Sequence, residues 1–162
     1  MIREVSGDLL LSKADVIVHC VAPADDCATG LAQTMREEFP NMYTAFREHC
    51  KALHPMPGDA WTWSGTGKNG PLKIVCLFTQ QQALGRGDKP GAATLEAVSH
   101  ALTNLRKALK KVKAKSVALP KIATGAGGLN WTDVKPVLER ELAEVTIPVT
   151  VYTTYKKGVP AE

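Results

Sequence analysis

Two glycine-bearing segments, residues 22–30 and 123–129, are candidate phosphate-binding loops. Each follows a run of apolar residues, DVIVHCV before the first and SVALPKI before the second, and each leads into a helical pattern. Glycine lets the backbone approach a phosphate closely and turn its N–H groups toward it, and a following helix adds the positive end of its dipole. The alternative for ATGAGGL at 123–129 is a tight strand-to-helix turn without a ligand.

Acid–base candidates lie next to the first of these loops. His19 lies inside the apolar run before this loop, and Asp25 and Asp26 lie inside the loop. Imidazole and carboxylate groups are common proton-transfer groups, so all three are candidate acids or bases. The competing interpretations are a core histidine for the first, and helix capping with exposed charge for the pair. Asp8 follows Gly7 at the end of the first expected strand, where it could cap a turn or accept a hydrogen bond from a ligand.

A third glycine pattern carries no chemistry. GTGKNG at 65–70 fits GxGxxG, but a strand follows it where a dinucleotide site needs a helix. The segment also fails as a P-loop, because Asn69 stands where serine or threonine must bind magnesium.

The composition bounds the class of protein. The 162 residues suit one domain, and 44% hydrophobic with 22% charged residues is typical of a globular chain. No apolar run approaches the roughly 20 residues needed to cross a bilayer, and residues 1–13 lack the apolar core of a signal peptide, so we expect a cytoplasmic protein without a membrane partner. The four cysteines lack metal-binding spacing, so we expect no metal. Without a secretory signal we expect reduced thiols, and we expect no cofactor. The net charge of +4 suits an anionic ligand and is equally explained by solubility.

Strand and helix patterns alternate along the chain. Strands are expected at 2–5, 15–21, 60–64, 72–79, 116–122 and 149–154, and helices at 29–39, 42–53, 95–112 and 131–145. The helix at 95–112 carries apolar residues at spacings of three and four, with lysines on its other face. We interpret that face as a solvated surface, and nucleic-acid binding through it as a weak alternative. The alternation predicts a three-layer α/β/α sandwich with a mostly parallel sheet, whose C-terminal edge carries both candidate loops.

Five segments together resemble the macrodomain family, which binds ADP-ribose: GDLL at 7–10, TGLA at 29–32, VCLFT at 75–79, LPKIATGAGGLNW at 119–131 and VTVYT at 149–153. The chain is most similar to the branch that contains the terminal ADP-ribose protein glycohydrolase and the ADP-ribose 1″-phosphate phosphatases. The resemblance implies a six-stranded mixed sheet in a domain over 1–155, with a short tail at 156–162.

The resemblance also implies a set of ligand contacts. Asp8 would receive the adenine amino group with Leu9 beside it, and the two glycine-bearing loops would hold the diphosphate. The implied ligand-binding residues are Asp8, Leu9, Thr29, Gly30, Leu31, Thr79, Ile122, Thr124, Gly125, Ala126, Gly127, Gly128, Leu129 and Tyr152. His19 matches a histidine proposed to act in the phosphatases of this branch.

Departures from the family pattern bear on the mechanism. The glycohydrolase attacks with a lysine just after the central strand, where this chain has Gln80, and Gly127 stands where the family has the partner acid. An amide cannot form a Schiff base, so we expect no lysine adduct. The expected function is hydrolysis at the distal ribose of ADP-ribose derivatives, with His19, Asp25, Asp26 and Gln80 as catalytic candidates. The alternative is a non-catalytic ADP-ribose reader. The expected partners are ADP-ribose and ADP-ribosylated protein or nucleic acid.

Overall fold

Apolar, β-branched runs form the centre of a six-stranded sheet. The structure, a computed structural model, describes residues 2–85 and 88–161. Its strands are β1 Ile2–Gly7, β2 Val16–Val21, β3 Ala60–Gly67, β4 Gly70–Phe78, β5 Val117–Pro120 and β6 Val149–Tyr155. The strand order is β1-β6-β5-β2-β4-β3, and all neighbours are parallel except the antiparallel pair β3–β4. The expected mixed, mostly parallel sheet is confirmed.

Helices cover both faces of this sheet. They are α1 Gly30–Glu38, α2 Pro40–Leu53, α3 Leu95–Lys111 and α4 Trp131–Glu141, with a short 3-10 turn at Leu9–Leu11. One hydrophobic core lies under α3 and α4, where Val18 and Leu77 of the sheet meet Leu105 and Leu138. The second core lies under α1 and α2, and Phe46 is buried there. These two cores make the predicted three-layer sandwich. No helix in the described part of the chain is long and apolar enough to cross a membrane.

Element ends differ from the expected bounds for local reasons. The helix expected from residue 42 begins at Pro40, since proline suits the first helical position, where its missing N–H is not needed. The strands around the hairpin extend to Gly67 and Gly70, because the turn between them takes only two residues. The strand expected over 116–122 ends at Pro120, which cannot donate a further ladder hydrogen bond.

The central position of β2 decides where a ligand fits. From β2 the chain continues through α1 and α2 to β3 and β4 on one side, whereas β5 continues to β6 on the other side. The loops that leave the C-terminal ends of β2 and β5 therefore diverge in opposite directions. In open α/β sheets, a crevice forms at such a switch point.

Candidate active site

A cleft with a volume of about 370 Å³ opens at this switch point. It lies at the C-terminal ends of β2, β4 and β5. Both candidate loops line it, so segments about 100 residues apart in sequence meet here. The predicted site residues found in its lining are Asp25, Asp26, Thr29, Gly30, Leu31, Gln80, Ile122, Gly125, Ala126 and Gly127.

The second loop is folded so that three amides remain free. The N–H of Leu129 donates to the Ala123 carbonyl at 3.0 Å, which closes the loop around its glycines. A Cβ on Gly127 would lie 2.7 Å from that same carbonyl oxygen, so glycine is required there by close approach. Among the described residues, the N–H groups of Gly125, Ala126 and Gly127 have no hydrogen-bond acceptor. The loop thus presents donors suited to an anion.

The N-terminus of α1 contributes donors to the same cleft. Thr29, its N-cap residue, makes no side-chain capping hydrogen bond, and Gly30 is in the left-handed region with φ 62°. The first N–H groups of a helix have no partner within the helix. Because Gly30, Leu31 and Ala32 also line the cleft, the positive end of α1 is available to a negatively charged ligand.

Asp25 holds the first loop in shape. Its carboxylate accepts the N–H of Ala22 at 3.0 Å and the N–H of Cys27 at 2.9 Å. The Arg47 guanidinium of α2 also binds the backbone of this loop, with Nη1 2.6 Å from the Ala24 carbonyl oxygen and 3.1 Å from that of Asp25. Both Asp25 carboxylate oxygens therefore accept backbone hydrogen bonds, and the side chain acts as a loop clamp.

Asp26 differs from its neighbour, because its side chain is exposed at the cleft. Its backbone carbonyl accepts a hydrogen bond from Arg36 Nη1 at 2.8 Å, which fixes the main chain, while no hydrogen bond to its carboxylate is formed within the described ranges. Of the two predicted acids in the first loop, Asp26 is the one with a free carboxylate at the cleft.

Gln80 anchors the loop on the opposite wall. Its side chain is 5% exposed and donates from Nε2 to the Gly91 carbonyl at 3.2 Å. This bond and the bridge between Gln80 and Ala93 hold the described residues 88–91 near the cleft. Arg86 and Gly87 of this segment lie outside the described residues.

Two residues of the segment after Gln80 lie at the cleft although the sequence did not identify them as site residues. Asp88 and Lys89 line the cleft, and Lys89 is the only cation among its described lining residues. Both belong to a polar, glycine-rich stretch without periodicity, so their position follows only from the tertiary bonds of Gln80.

His19 is enclosed in the core. The side chain is 1% exposed and does not line the cleft. Its Nε2 lies 3.1 Å from Cys76 Sγ, its Nδ1 has no partner among the described residues, and burial lowers the pKa of the ring to about 4. Side chains alternate along β2, so His19 shares the α1–α2 face with Ile17 and Val21. The ring therefore lies in the core and not in the cleft lining, and this placement does not support the acid or base role, which stays a prediction.

Cys20, on the other face of β2, does line the cleft. Burial raises the pKa of its thiol to about 11, so it is a neutral thiol at physiological pH. Thr79 lies beside it and is completely buried behind the cleft wall. Thr79 therefore supports the wall without lining it.

Asp8 lies at the far end of the sheet edge and binds the C-terminal segment. Its Oδ1 accepts the N–H of Leu10 at 3.0 Å, its Oδ2 accepts the N–H of Gly158 at 2.8 Å, and its own N–H donates to the Val159 carbonyl at 2.7 Å. The side chain is 6% exposed. A carboxylate has about four lone-pair sites, so one further donor, such as an amino group, remains compatible with this geometry.

The other residues expected near the adenine are mostly covered. Leu9 and Tyr152 pack in the core under α1 and α2 and do not line the cleft. Tyr155, which the sequence did not identify, ends β6 opposite Gly7 and is half exposed. Burial, and next the charge of Asp8, raise the pKa of its hydroxyl, which places this aromatic ring near Asp8.

The remaining predicted residues of the second loop do not line the cleft, and their contacts fix the shape of the loop. Thr124 donates from Oγ1 to the Lys121 carbonyl at 2.8 Å, and Leu129 packs against the α3–α4 core. Gly128 adopts φ 78°, which a side chain rarely adopts. In the part of the chain that the structure describes, no group of His, Cys, Asp or Glu side chains is arranged to hold a metal ion.

Comparison with known proteins agrees with this geometry. The sequence model of the Macro domain family matches residues 26–138. The "DNA ADP-ribosyl transferase-DNA ADP-ribosyl glycohydrolase fusion protein" of Thermosipho africanus (strain H17ap60334) is 26% identical over 165 residues, which cover 96% of this chain and 42% of that protein. The "ADP-ribose glycohydrolase OARD1" of Homo sapiens is 25% identical over 155 residues, which cover 94% of this chain and 91% of that protein.

A solved structure shares the whole architecture. The macrodomain of Mycobacterium tuberculosis DarG superimposes with a TM-score of 0.83 at 25% identity, covering 94% of this chain and 97% of that one. The chain spans less than half the length of the Thermosipho fusion protein that it matches.

Proposed function

Since this chain belongs to the macrodomain family, we propose that it binds ADP-ribose along the cleft and hydrolyses a bond at the distal ribose of ADP-ribose derivatives. One observation carries the proposal. Two sets of N–H groups, at 125–127 and in the first turn of α1, line one cleft and have no acceptor among the residues that the structure describes. A diphosphate carries negative charge on both phosphoryl groups, and such donors recognise it.

The strand order gives the ligand a direction along the sheet edge. Asp8 and Tyr155 lie at the β1–β6 end, where the carboxylate can accept the adenine amino group. The free amides follow at β5 and β2, where the diphosphate would lie. Gln80 and Asp26 are at the β2–β4 end, so the distal ribose would lie between them. An extended ADP-ribose placed this way puts its reactive end against the exposed carboxylate.

The chemistry follows from the groups at that end. Water adds its hydroxyl to the anomeric carbon of the distal ribose, the bond to the acceptor atom breaks with its electron pair, and the acceptor atom takes the proton. Asp26 is the candidate base that removes the proton from water. Gln80 has no nucleophilic amine and would position the ribose through its fixed amide. Lys89 would offset the charge of the diphosphate.

The direct test is turnover. The protein is incubated with ADP-ribosylated DNA, ADP-ribosylated protein and ADP-ribose 1″-phosphate, and the products are separated by mass. We expect release of ADP-ribose from at least one substrate. Asp26→Asn should lower kcat about 10²–10⁴-fold with an ADP-ribose affinity close to that of the native protein. Glu144→Gln likewise replaces a carboxylate by an amide, at an exposed position beyond α4, and is the matched control.

The outcomes separate the alternatives. Binding of ADP-ribose without product from any substrate would leave a reader module in place of the enzyme. Borohydride treatment during turnover should trap no adduct. A trapped ADP-ribosyl–protein adduct that Lys89→Ala abolishes would assign nucleophilic attack to Lys89 and contradict direct attack by water.

The proposal includes a cytoplasmic location. The four cysteines are free thiols, and Cys27, Cys50 and Cys76 are buried. Unpaired thiols of this kind are typical of a reducing compartment.

A further inference from the structure

We propose that a groove on the α1–α2 face of the sheet is a second anion-binding site, separate from the cleft, and that it takes a phosphate group. The groove has a volume of about 430 Å³ and lies over the N-terminal parts of β1, β5 and β6. Residues 11–14 and 160–161 border it, and none of its described lining residues lines the cleft. The polar residues of this polar groove are Arg3, Ser12, Lys13, Ser116, Thr150 and Tyr152.

The floor of the polar groove is a stretch of sheet with polar side chains. Arg3 of β1 and Thr150 of β6 are partners in the strand register, and Tyr152 shares the face of Thr150 because it lies two residues further along. On this face α1 packs on β2 and α2 packs on β3, toward the other end of the sheet. Arg3 is exposed and Thr150 is partly exposed, so the floor is accessible to a ligand.

The charge of the polar groove is positive. Arg3 and Lys13 are the charged residues of its described lining, and both side chains are exposed. None of the ion pairs in the described part of the chain involves either of them. Two cations that face one concave surface without a counter-charge attract an anion.

The carboxylates that are near in sequence have other partners. Glu4 follows Arg3 but points to the opposite face of the sheet, where its Oε2 accepts a hydrogen bond from Lys135 Nζ at 2.7 Å. Asp15 Oδ1 accepts the N–H of Ser116 at 2.9 Å and the hydroxyl of the same residue at 3.2 Å. These carboxylates therefore leave the positive charge of the polar groove uncompensated.

Hydroxyl groups provide further donors. Ser12 Oγ accepts the N–H of Ala14 at 3.1 Å, which leaves its own proton for a ligand. Tyr152 is only 7% exposed and lines the polar groove, and its hydroxyl has no hydrogen-bond partner among the described residues. Buried tyrosine hydroxyls usually have a partner, and an oxygen of a bound ligand would supply one here.

This set of donors suits a phosphate group. A guanidinium matches two phosphate oxygens at once, an ammonium adds a point charge, and hydroxyls donate to the remaining oxygens. The volume is that of a site for a ligand of nucleotide size. A free phosphorylated molecule and the phosphodiester backbone of a nucleic acid share this chemistry, so the experiment separates these two sources.

Amide NMR with inorganic pyrophosphate as the probe tests the location. We expect saturable shifts of the Lys13, Ser116 and Thr150 amides, with a dissociation constant in the millimolar range. Pyrophosphate should also shift the amides at 125–127 in the cleft. Excess ADP-ribose should suppress the cleft shifts and leave those of the polar groove unchanged.

Substitutions test the donors. Arg3→Gln and Lys13→Gln should each raise the dissociation constant at the polar groove by about 2- to 5-fold, as expected for an exposed charge. Tyr152→Phe keeps the ring and removes the hydroxyl, and should raise it by about 2- to 10-fold. Lys107→Gln removes the same charge from an exposed position on α3, on the opposite face of the sheet, and should not change it. Circular dichroism checks the fold of each variant.

A single-stranded oligothymidylate is the second probe. Shifts of the same amides at lower concentrations than with pyrophosphate would identify a nucleic-acid backbone as the source of the phosphate. Shifts with pyrophosphate alone would identify a free phosphorylated molecule. Glu162 follows Ala161 and lies outside the described residues, so both titrations are repeated with Glu162→Gln, which should bind the probes at least as tightly as the native chain.

The inference is independent of the proposed function, and their failures are distinguishable. No shift of the polar-groove amides with either probe, at ten times the expected dissociation constant, would overturn it. Equal affinities of the native chain and a variant that combines Arg3→Gln with Lys13→Gln would do the same. Neither result bears on the cleft, because the amides at 125–127 report ADP-ribose binding separately.

Discussion

A negative charge at residue 125 should expel the diphosphate while the loop keeps its fold. Gly125 lines the cleft, and a Cβ built on it meets nothing within 4 Å. Its φ is not in the left-handed region, so an L side chain fits its backbone. Gly125→Glu therefore changes the electrostatics of the site without a steric cost. Gly127 would be the wrong position for this test, because its Cβ would overlap the Ala123 carbonyl and shift the backbone.

The magnitude follows from Coulomb's law at the cleft surface. Two unit charges about 4 Å apart interact by about 1 kcal/mol in water and by about 4 kcal/mol at the effective dielectric constant of a protein surface. Gly125 is exposed, so the repulsion between the introduced carboxylate and the nearer phosphate should lie between these limits. Because about 1.4 kcal/mol is a factor of ten, the affinity for ADP-ribose should fall by roughly 5- to 1,000-fold.

Isothermal calorimetry with ADP-ribose measures this change, and circular dichroism checks the fold. Gly125→Gln is the matched control, since it has the same length without the charge, and it should lose much less affinity than Gly125→Glu. The loss caused by the glutamate should also shrink at high salt. Equal affinities of Gly125→Glu and the native protein would refute the placement of the diphosphate against residues 125–127.

Three further predictions concern stability. The burial of His19 lowers its pKa from 6.5 to about 4, so between these pH values the unfolded state binds one more proton than the folded state. The free energy of unfolding should therefore fall by up to about 3 kcal/mol as the pH drops from 6.5 to 4. Urea titrations measure this slope, and His19→Leu should largely remove it. Gly127→Ala should lower the free energy of unfolding by about 1–3 kcal/mol through overpacking against Ala123, whereas Gly125→Ala should not, and equal melting curves would contradict the close approach. Asp8→Ala removes the acceptor of two backbone N–H groups, so chemical denaturation without any ligand should show that the free energy of unfolding falls by about 1–3 kcal/mol. An unchanged free energy of unfolding would mean that these hydrogen bonds do not stabilise the fold.

The sequence predicted those parts of the fold that depend on local pattern. The amphipathic spacing of α3 and the apolar runs of β2, β4 and β6 determine the layers, and parallel strands place the two glycine-bearing loops at one edge. The sequence therefore predicts that residues 22–30 and residues 123–129 lie together at the cleft.

The positions that sequence missed depend on contacts between distant residues. A strand that is buried on both faces has no polar side, so its pattern could not tell that His19 points under α1 and α2 while Cys20 points toward the cleft. Asp8 is bound by Gly158, 150 residues away, which no local pattern reveals. Lys89 reaches the cleft only because Gln80 holds Gly91.

Amide NMR during titration with ADP-ribose tests the central claim most directly, since it reports the N–H groups that the claim invokes. The account predicts saturable shifts of the Gly30, Gly125, Ala126 and Gly127 amides, with a dissociation constant between micromolar and sub-millimolar. Amides on the lysine-bearing face of α3 should not move. An absence of shifts at millimolar ADP-ribose, or saturable shifts confined to α3, would contradict it.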